Sequence, residues 1–177
     1  IVVDANDIEK IARACDFVFC AVEMSDKEKV KQLEESYASA GLPVISSASA
    51  HRSTPDVPML LPEINYDHTK MIDIQRKKRG WKNGFIVVKP NCSIQSFLTP
   101  VYALRKAGYK IDRLSVVTMQ AVSGAGYPGV PSLDMVDNIV PFIGGEEEKT
   151  EKEPLKILGS IKKGSFVLAD DLKITAQ

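Results

Sequence analysis

Apolar positions along the chain follow two periods, and the switch between them outlines the elements. Residues 17–22, FVFCAV, form a short continuous apolar run, the pattern of a strand buried on both faces. In 26–41, DKEKVKQLEESYASAG, the residues Val30, Leu33, Tyr37 and Ala40 fall on one helical stripe, with Asp26 or Ser25 as a cap at the start and Gly41 at the end. Residues 43–47, PVISS, read as a second strand. A strand, a helix of about four turns and another strand make a βαβ unit, which implies parallel strands and a right-handed crossover. Residues 48–65 read as a loop punctuated by Pro55, Pro58 and Pro62. A helical pattern returns in 66–80, with Met71, Ile72 and Ile74 apolar, His68 on the surface, and the basic run 76–79 as a solvated helix end. FIVV at 85–88 predicts another strand, followed by a helix to about Lys106 that Gly108 stops. Residues 111–123 read as one long strand, 123–132 as a Gly/Pro/Ser loop, and the closing LKITAQ as a strand. The change from βαβ units to longer strands and broken helices places a domain boundary near Pro90, dividing 1–90 from 91–177.

Composition narrows the function. The 177 residues suffice for one domain or parts of two, and 44% hydrophobic with 26% charged content is ordinary for a globular chain. Lys plus Arg number 23 and Asp plus Glu 23, so no charge excess points to nucleic acid or an anionic membrane. No apolar run approaches the roughly 20 residues that span a bilayer. Cys15, Cys20 and Cys92 are an odd number without framework spacing, which suits free thiols in a reducing cytoplasm and predicts neither a disulfide nor a metal site. The chain opens on IVVDAND without Met and stops within a strand pattern, so an internal fragment of a longer protein is expected.

Four stretches bear candidate chemistry. Cys20, inside FVFCAV, reads as a small buried hydrophobe, and Cys15 as similar. Cys92 lies where a strand ends and a helix begins, so unpaired helix N–H groups favour thiolate over thiol and can stabilise an oxyanion on an attacked carbonyl. Asn91 adds a side-chain donor beside it. A structural role for Cys92 stands beside the nucleophilic one. Gln120 precedes the glycines Gly124, Gly126 and Gly129, which permit close approach of backbone to a ligand or simply form a long turn. The acidic run in 144–153 reads first as a solvated helix start, and Arg52 as a loop arginine able to grip a phosphate or carboxylate.

Taken together, SSASAHR (46–52), VPMLLPEIN (57–65), KPNCS (89–93), QAVSGAGYPGVPS (120–132) and GGEEEK (144–149) resemble the aspartate-semialdehyde dehydrogenases of archaea, fungi and some bacteria. The resemblance implies an α/β fold. It would comprise the C-terminal part of a Rossmann domain, then part of an α+β catalytic domain with a mixed sheet, as in glyceraldehyde-3-phosphate dehydrogenase. It implies reductive dephosphorylation of β-aspartyl phosphate with NADPH (NAD not excluded) through a thioester on Cys92, in amino-acid biosynthesis. By the same resemblance Gln120 orients the substrate, and Arg52 and Lys149 bind its phosphate. Glu146 pairs with its amino group, and Ser47, Ala48, Ser49, Ser123 and Gly124 line the cofactor side. Ser47 stands where the family commonly has Asn, and Ile94 where it has Thr. The resemblance further implies a homodimer or homotetramer, a Gly-rich loop before Ile1, and a general-base His after Gln177. His51 matches a family position without base function, and the fragment alone is expected to be inactive. Two alternatives are a malonyl-CoA reductase on the same scaffold and a non-catalytic binding module. A cysteine hydrolase fits poorly, because no His accompanies Cys92.

Overall fold

The computed structural model describes residues 2–22 and 26–177. Its first half is built on a parallel sheet of β1 (Val18–Cys20), β2 (Pro43–Ser46) and β3 (Phe85–Val88), in that order, with Val44 between Val18 and Ile86. The crossover from β1 to β2 runs through α2 (Lys27–Ser39), which follows the short α1 (Ile8–Ala14). Asp26 caps α2 through the backbone N–H of Glu28, while Ser25 lies outside the described residues. Val30, Leu33, Tyr37 and Ala38 of α2 are buried; Ala40 is exposed at its C-cap, and Ala38 takes the place expected for it on the stripe. Gly84 lets the turn before β3 pass α2, since a Cβ there would stand 1.9 Å from the Ala38 carbonyl oxygen.

Three expectations fail here for identifiable reasons. β1 is not buried on both faces: Phe19 is 71% exposed and packs edge-to-face on Phe17 rather than on a further layer. Cys15 is exposed at the C-cap of α1, past the last helical turn. His68 is buried, not superficial, because the segment around it is folded inward by side-chain bonds. Its ring nitrogens meet Asn65 Nδ2 at 3.0 Å and the Gly159 carbonyl at 3.2 Å.

The segment 48–65 is a loop only in its first part. The Val88 N–H donates to Pro58 O and the Leu60 N–H to Val88 O, so Met59 bridges the edge of β3 before the single turn α3 (Pro62–Asn65). Val57, Met59 and Leu61 enter the core with Val44, Ile86 and Val88, an apolar alternation that the three prolines conceal. A 3-10 turn (Tyr66–Lys70) then leads into α4 (Met71–Arg79). Gln75, fully buried, ties α4 to β3 by exchanging bonds with the Ile86 backbone, its Oε1 accepting from the Ile86 N–H at 2.7 Å.

The second half begins with α5 (Cys92–Lys106), whose Ile94 and Leu98 join the same core. β4 covers only Arg113–Val116, shorter than expected, and pairs in parallel with β7 (Lys173–Ala176), with the Thr118 N–H still donating to the Gln177 carbonyl at 3.1 Å beyond the strand. A 3-10 turn (Val122–Ala125), α6 (Ser132–Met135) and α7 (Glu146–Ile157) precede an antiparallel pair, β5 (Ser160–Lys162) with β6 (Ser165–Val167). Residues 117–143 expose large apolar side chains, Met119, Tyr127, Leu133 and Ile139 among them. Among the described residues no helix is long and apolar enough to cross a membrane.

Candidate active site

Cys92 is the first residue of α5 and is exposed, directly beyond the carboxyl end of β3. The strand is apolar and buried; Pro90 breaks it; and the helix begins with its first N–H groups lacking intrahelical acceptors. These groups are an electrostatic resource for charge developing beside the sulfur. Cys20 contrasts with it, since burial, with a hydrogen bond to Glu34, pushes its thiol up to about 11.

The side chains around Cys92 converge on one carboxylate. Asn91 Nδ2 donates to Glu146 Oε1 and Oε2 at 2.8 and 2.9 Å, Ser93 Oγ to Oε1 at 3.0 Å, and Gln120 Nε2 to Oε1 at 3.0 Å. Lys149 Nζ, one turn along α7, stands 3.6 Å from Oε2. Burial raises the Glu146 carboxyl, but the bonds from Asn91, Gln120 and Ser93 and the charge of Lys149 outweigh it and hold it below the usual carboxylate range. The acidic run is therefore not simply a solvated helix start: it is solvated at Glu148, while Glu146 is 8% exposed. Asn91 also departs from expectation. Its amide nitrogen is taken by Glu146, so it presents its oxygen to the sulfur, with Cys92 Sγ donating to Asn91 Oδ1 at 3.1 Å.

A cleft of about 430 Å³ opens at this point, lined by Cys92, Ser93, Gln120, Ser123 and Gly124, with Phe97 and Met119 as apolar wall. A larger depression of about 760 Å³, beside Glu35, Ser36, Ser39, Arg79 and Trp81, contains no cysteine and no histidine to activate its serines, so chemistry rather than size selects the first. Cys92, Asn91, Gln120, Glu146, Lys149, Ser123 and Gly124 are thus brought to one place.

Arg52, Ser47, Ala48 and Ser49 form a second group, beyond the carboxyl end of β2, where open parallel sheets hold nucleotides. Ser47 is tied to Cys20 O through its N–H at 2.8 Å and its Oγ at 3.3 Å, and the Ala48 N–H donates to Ser46 Oγ at 3.1 Å. These half-buried serines and their backbone fit one wall of a nicotinamide-nucleotide site. Arg52 is 13% exposed; Nη1 reaches Glu153 Oε1 and Nη2 the Ser47 carbonyl, each at 3.3 Å, and Nε is buried without an acceptor.

Ser93, Glu153 and Lys156 escaped the sequence reading. Glu153 Oε2 accepts the Asn91 backbone N–H at 2.8 Å, and Lys156 Nζ donates to the carbonyls of Arg52, Thr54 and Val57 at 2.8, 3.3 and 3.0 Å. Their sequence signal is periodic: Glu146 and Glu153 lie two turns apart on one face of α7, with Lys156 three residues further. His51 and His68 are committed elsewhere; His51 Nδ1 meets Thr54 Oγ1 at 3.0 Å, and burial pushes its pKa down despite Glu34 and Glu35.

Comparison with known proteins gives this geometry its context. Residues 1–72 match the family model described as "Semialdehyde dehydrogenase, NAD binding domain", and 101–177 that described as "Semialdehyde dehydrogenase, dimerisation domain". The chain is 43% identical to an aspartate-semialdehyde dehydrogenase of Archaeoglobus fulgidus, over 97% of this chain and 50% of the relative. It is 46% identical to a malonyl CoA reductase (NADP) of Metallosphaera sedula, over 74% of this chain and 36% of the relative. A crystal structure of aspartate semialdehyde dehydrogenase with NADP from Candida albicans superposes with a TM-score of 0.75 at 37% identity, covering 92% of this chain and 46% of that one. The chain spans about half the length of the curated relatives it matches.

Proposed function

Since this chain belongs to the semialdehyde dehydrogenase family, we propose that its protein reduces β-aspartyl phosphate to aspartate semialdehyde, releasing phosphate. The single observation that carries this reading is an exposed thiol at a helix N-terminus, set beside a saturated carboxylate that also holds a lysine. Cys92 Sγ attacks the acyl carbon, the C–O bond to phosphate breaks, and an acyl thioester remains on the enzyme. The developing oxyanion faces the unpaired N–H groups of α5. Arg52 and Lys149 receive the phosphate: the buried Nε of Arg52 lacks an acceptor, and Lys149 is 37% exposed beside Glu146. Gln120 orients the substrate, and Glu146 meets its amino group and fixes Asn91. Ser47, Ala48 and Ser49 on one side and Ser123 and Gly124 on the other would hold NADPH, which would supply the hydride for the thioester carbon. Cys92 then leaves as thiolate when the aldehyde forms.

The division into 1–90, nucleotide-binding, and 91–177, catalytic, belongs to the same reading, as do a cytoplasmic location and a homo-oligomeric state. Free cysteines support the location, and the exposed apolar side chains of 117–143 support an interface between copies. The Metallosphaera relative favours a second substrate, malonyl-CoA, whose malonyl group would pass to Cys92 as coenzyme A leaves, in place of acyl transfer from the phosphate. The test is phosphate-dependent reduction of NADP by the full-length protein with aspartate semialdehyde, set beside NADPH oxidation by the same protein with malonyl-CoA. Cys92→Ala is expected to lower that rate roughly a thousand-fold or more. Turnover surviving the substitution overturns the reading, and preferential use of malonyl-CoA replaces the substrate.

A further inference from the structure

We infer that Glu153 is a positioning residue that sets the distance between the nucleophile and the phosphate-binding arginine, a role that rests on the reading above. It lies two turns beyond Glu146 on α7, and both carboxylates end on Asn91: Glu146 on the side-chain amide, Glu153 on the backbone N–H at 2.8 Å. Asn91 makes no side-chain cap bond to α5, because its amide is committed to Glu146. The N-cap residue preceding Cys92 is therefore gripped at two points by one helix face, and its position is set by α7 rather than by α5.

The second oxygen of Glu153 reaches across to Arg52 Nη1 at 3.3 Å, and Arg52 Nη2 continues to the Ser47 carbonyl at 3.3 Å. One buried carboxylate, 9% exposed, thus joins the strand-end loop of β2 to the start of the catalytic helix. No other described side chain bonds to both Arg52 and Asn91. Glu153 also aims the guanidinium. With Nη1 and Nη2 engaged, the Nε edge of Arg52 is the one left to meet an anion. A neutral amide at 153 supplies one acceptor and one donor where two acceptors are required, so one of the two links must fail. An aspartate keeps both acceptors but falls a methylene short.

The test uses the full-length protein with Glu153→Gln, Glu153→Asp and, as control, Glu148→Gln, whose carboxylate bonds only to Lys152 on the exposed side of α7. Three quantities are measured: the phosphate KM and kcat of semialdehyde oxidation, the rate of Cys92 alkylation by iodoacetamide followed at that residue by mass spectrometry, and the thermal midpoint. Glu153→Gln is expected to raise the phosphate KM about ten-fold, as for one lost charge-assisted contact, and to change the Cys92 alkylation rate at least about three-fold. Glu153→Asp shifts both in the same direction by less, and decides the matter should the glutamine variant not fold. Glu148→Gln leaves all three at wild-type values. A lowered midpoint with phosphate KM and alkylation unchanged overturns the inference, since a purely structural carboxylate would do that. If the wild-type protein shows no phosphate-dependent turnover, the functional reading falls, and alkylation alone decides whether Glu153 positions Cys92.

Discussion

The polar cluster under β2 and the one on α7 contain the same kinds of buried group but leave different members unsatisfied. Under β2, Arg79 is saturated: Nε and Nη2 hold both oxygens of Asp56 at 2.6 and 2.9 Å, and Nη1 holds Glu35 at 2.6 Å. Burial raises the Asp56 carboxyl, but the bonds and charge of Arg79 outweigh it and hold it below the usual range. The spare atoms there belong to Glu34 Oε2 and His51 Nε2, which face each other across 3.8 Å. On α7 the order is reversed. Glu146 and Glu153 are saturated by donors, whereas Arg52 Nε has no acceptor and Lys149 is part-exposed. A cluster that satisfies its cations closes on itself and serves the fold. One that satisfies its carboxylates and keeps cationic donors in reserve is disposed to receive an anion.

That contrast can be broken experimentally. Arg79→Met strips the partner from a nearly buried Asp56, and urea unfolding is expected to show a loss of roughly 3 kcal/mol. Cys92 alkylation should not change; a parallel change would mean the two clusters are one. Glu146→Gln acts in the other direction. It sets an amide N–H against donors from Asn91, Ser93 and Gln120, and kcat of the full-length protein should fall roughly a hundred-fold, the scale of losing one positioned catalytic group. Retention of more than half the wild-type rate would return Glu146 to the role of surface charge.

Lys156 gives the smallest and most diagnostic effect. Burial pushes its pKa down to about 8, against the pull of Glu153 and Asp56, from an ordinary value of 10.5. The unfolded chain therefore holds more protons between those values, so the cost of the buried ammonium is complete below pH 8 and is relieved as pH rises towards 10.5. Wild-type stability should accordingly gain on that of Lys156→Met across this window, on the order of 1 kcal/mol per pH unit. Parallel urea-unfolding profiles at pH 7 and 9.5 would show that the ammonium is not burdened in this way. Its three carbonyl bonds to the 52–57 loop would then outweigh burial.

Much of the framework was legible along the chain. The strands at 43–46 and 85–88, the capped helix after Asp26, and the helix opening at Cys92 announce themselves through local periodicity and breakers. The segment 57–61 did not, because prolines and short polar residues conceal an apolar alternation that only its pairing with β3 reveals. Exposure was the weakest reading. FVFCAV looks doubly buried and is not, and His68 looks superficial yet is bound on both ring nitrogens. At the site, the strand–helix junction and the glycines single out Cys92 and Gln120, which line one cleft, whereas Asn91, expected as a donor beside the sulfur, presents its amide oxygen to it. Which end of an amide meets a sulfur depends on the carboxylate behind it, fifty-five positions away in sequence.

Local order along the chain thus determined where the elements start and stop, and it placed a thiol at a helix N-terminus, because capping, proline and hydrophobic period act over a few residues. Only the tertiary structure decided what the acidic run of α7 is for. The sequence 144–153 offers seven carboxyl or ammonium groups on a helix, and their charge pattern alone does not separate Glu146 and Glu153 from their solvated neighbours. Packing α7 against α5 buries those two, and a buried carboxylate is tolerated only where donors converge on it. The donors available there belong to the residues beside Cys92 and to Arg52, so burial, rather than the charge pattern, links the helix to the chemistry.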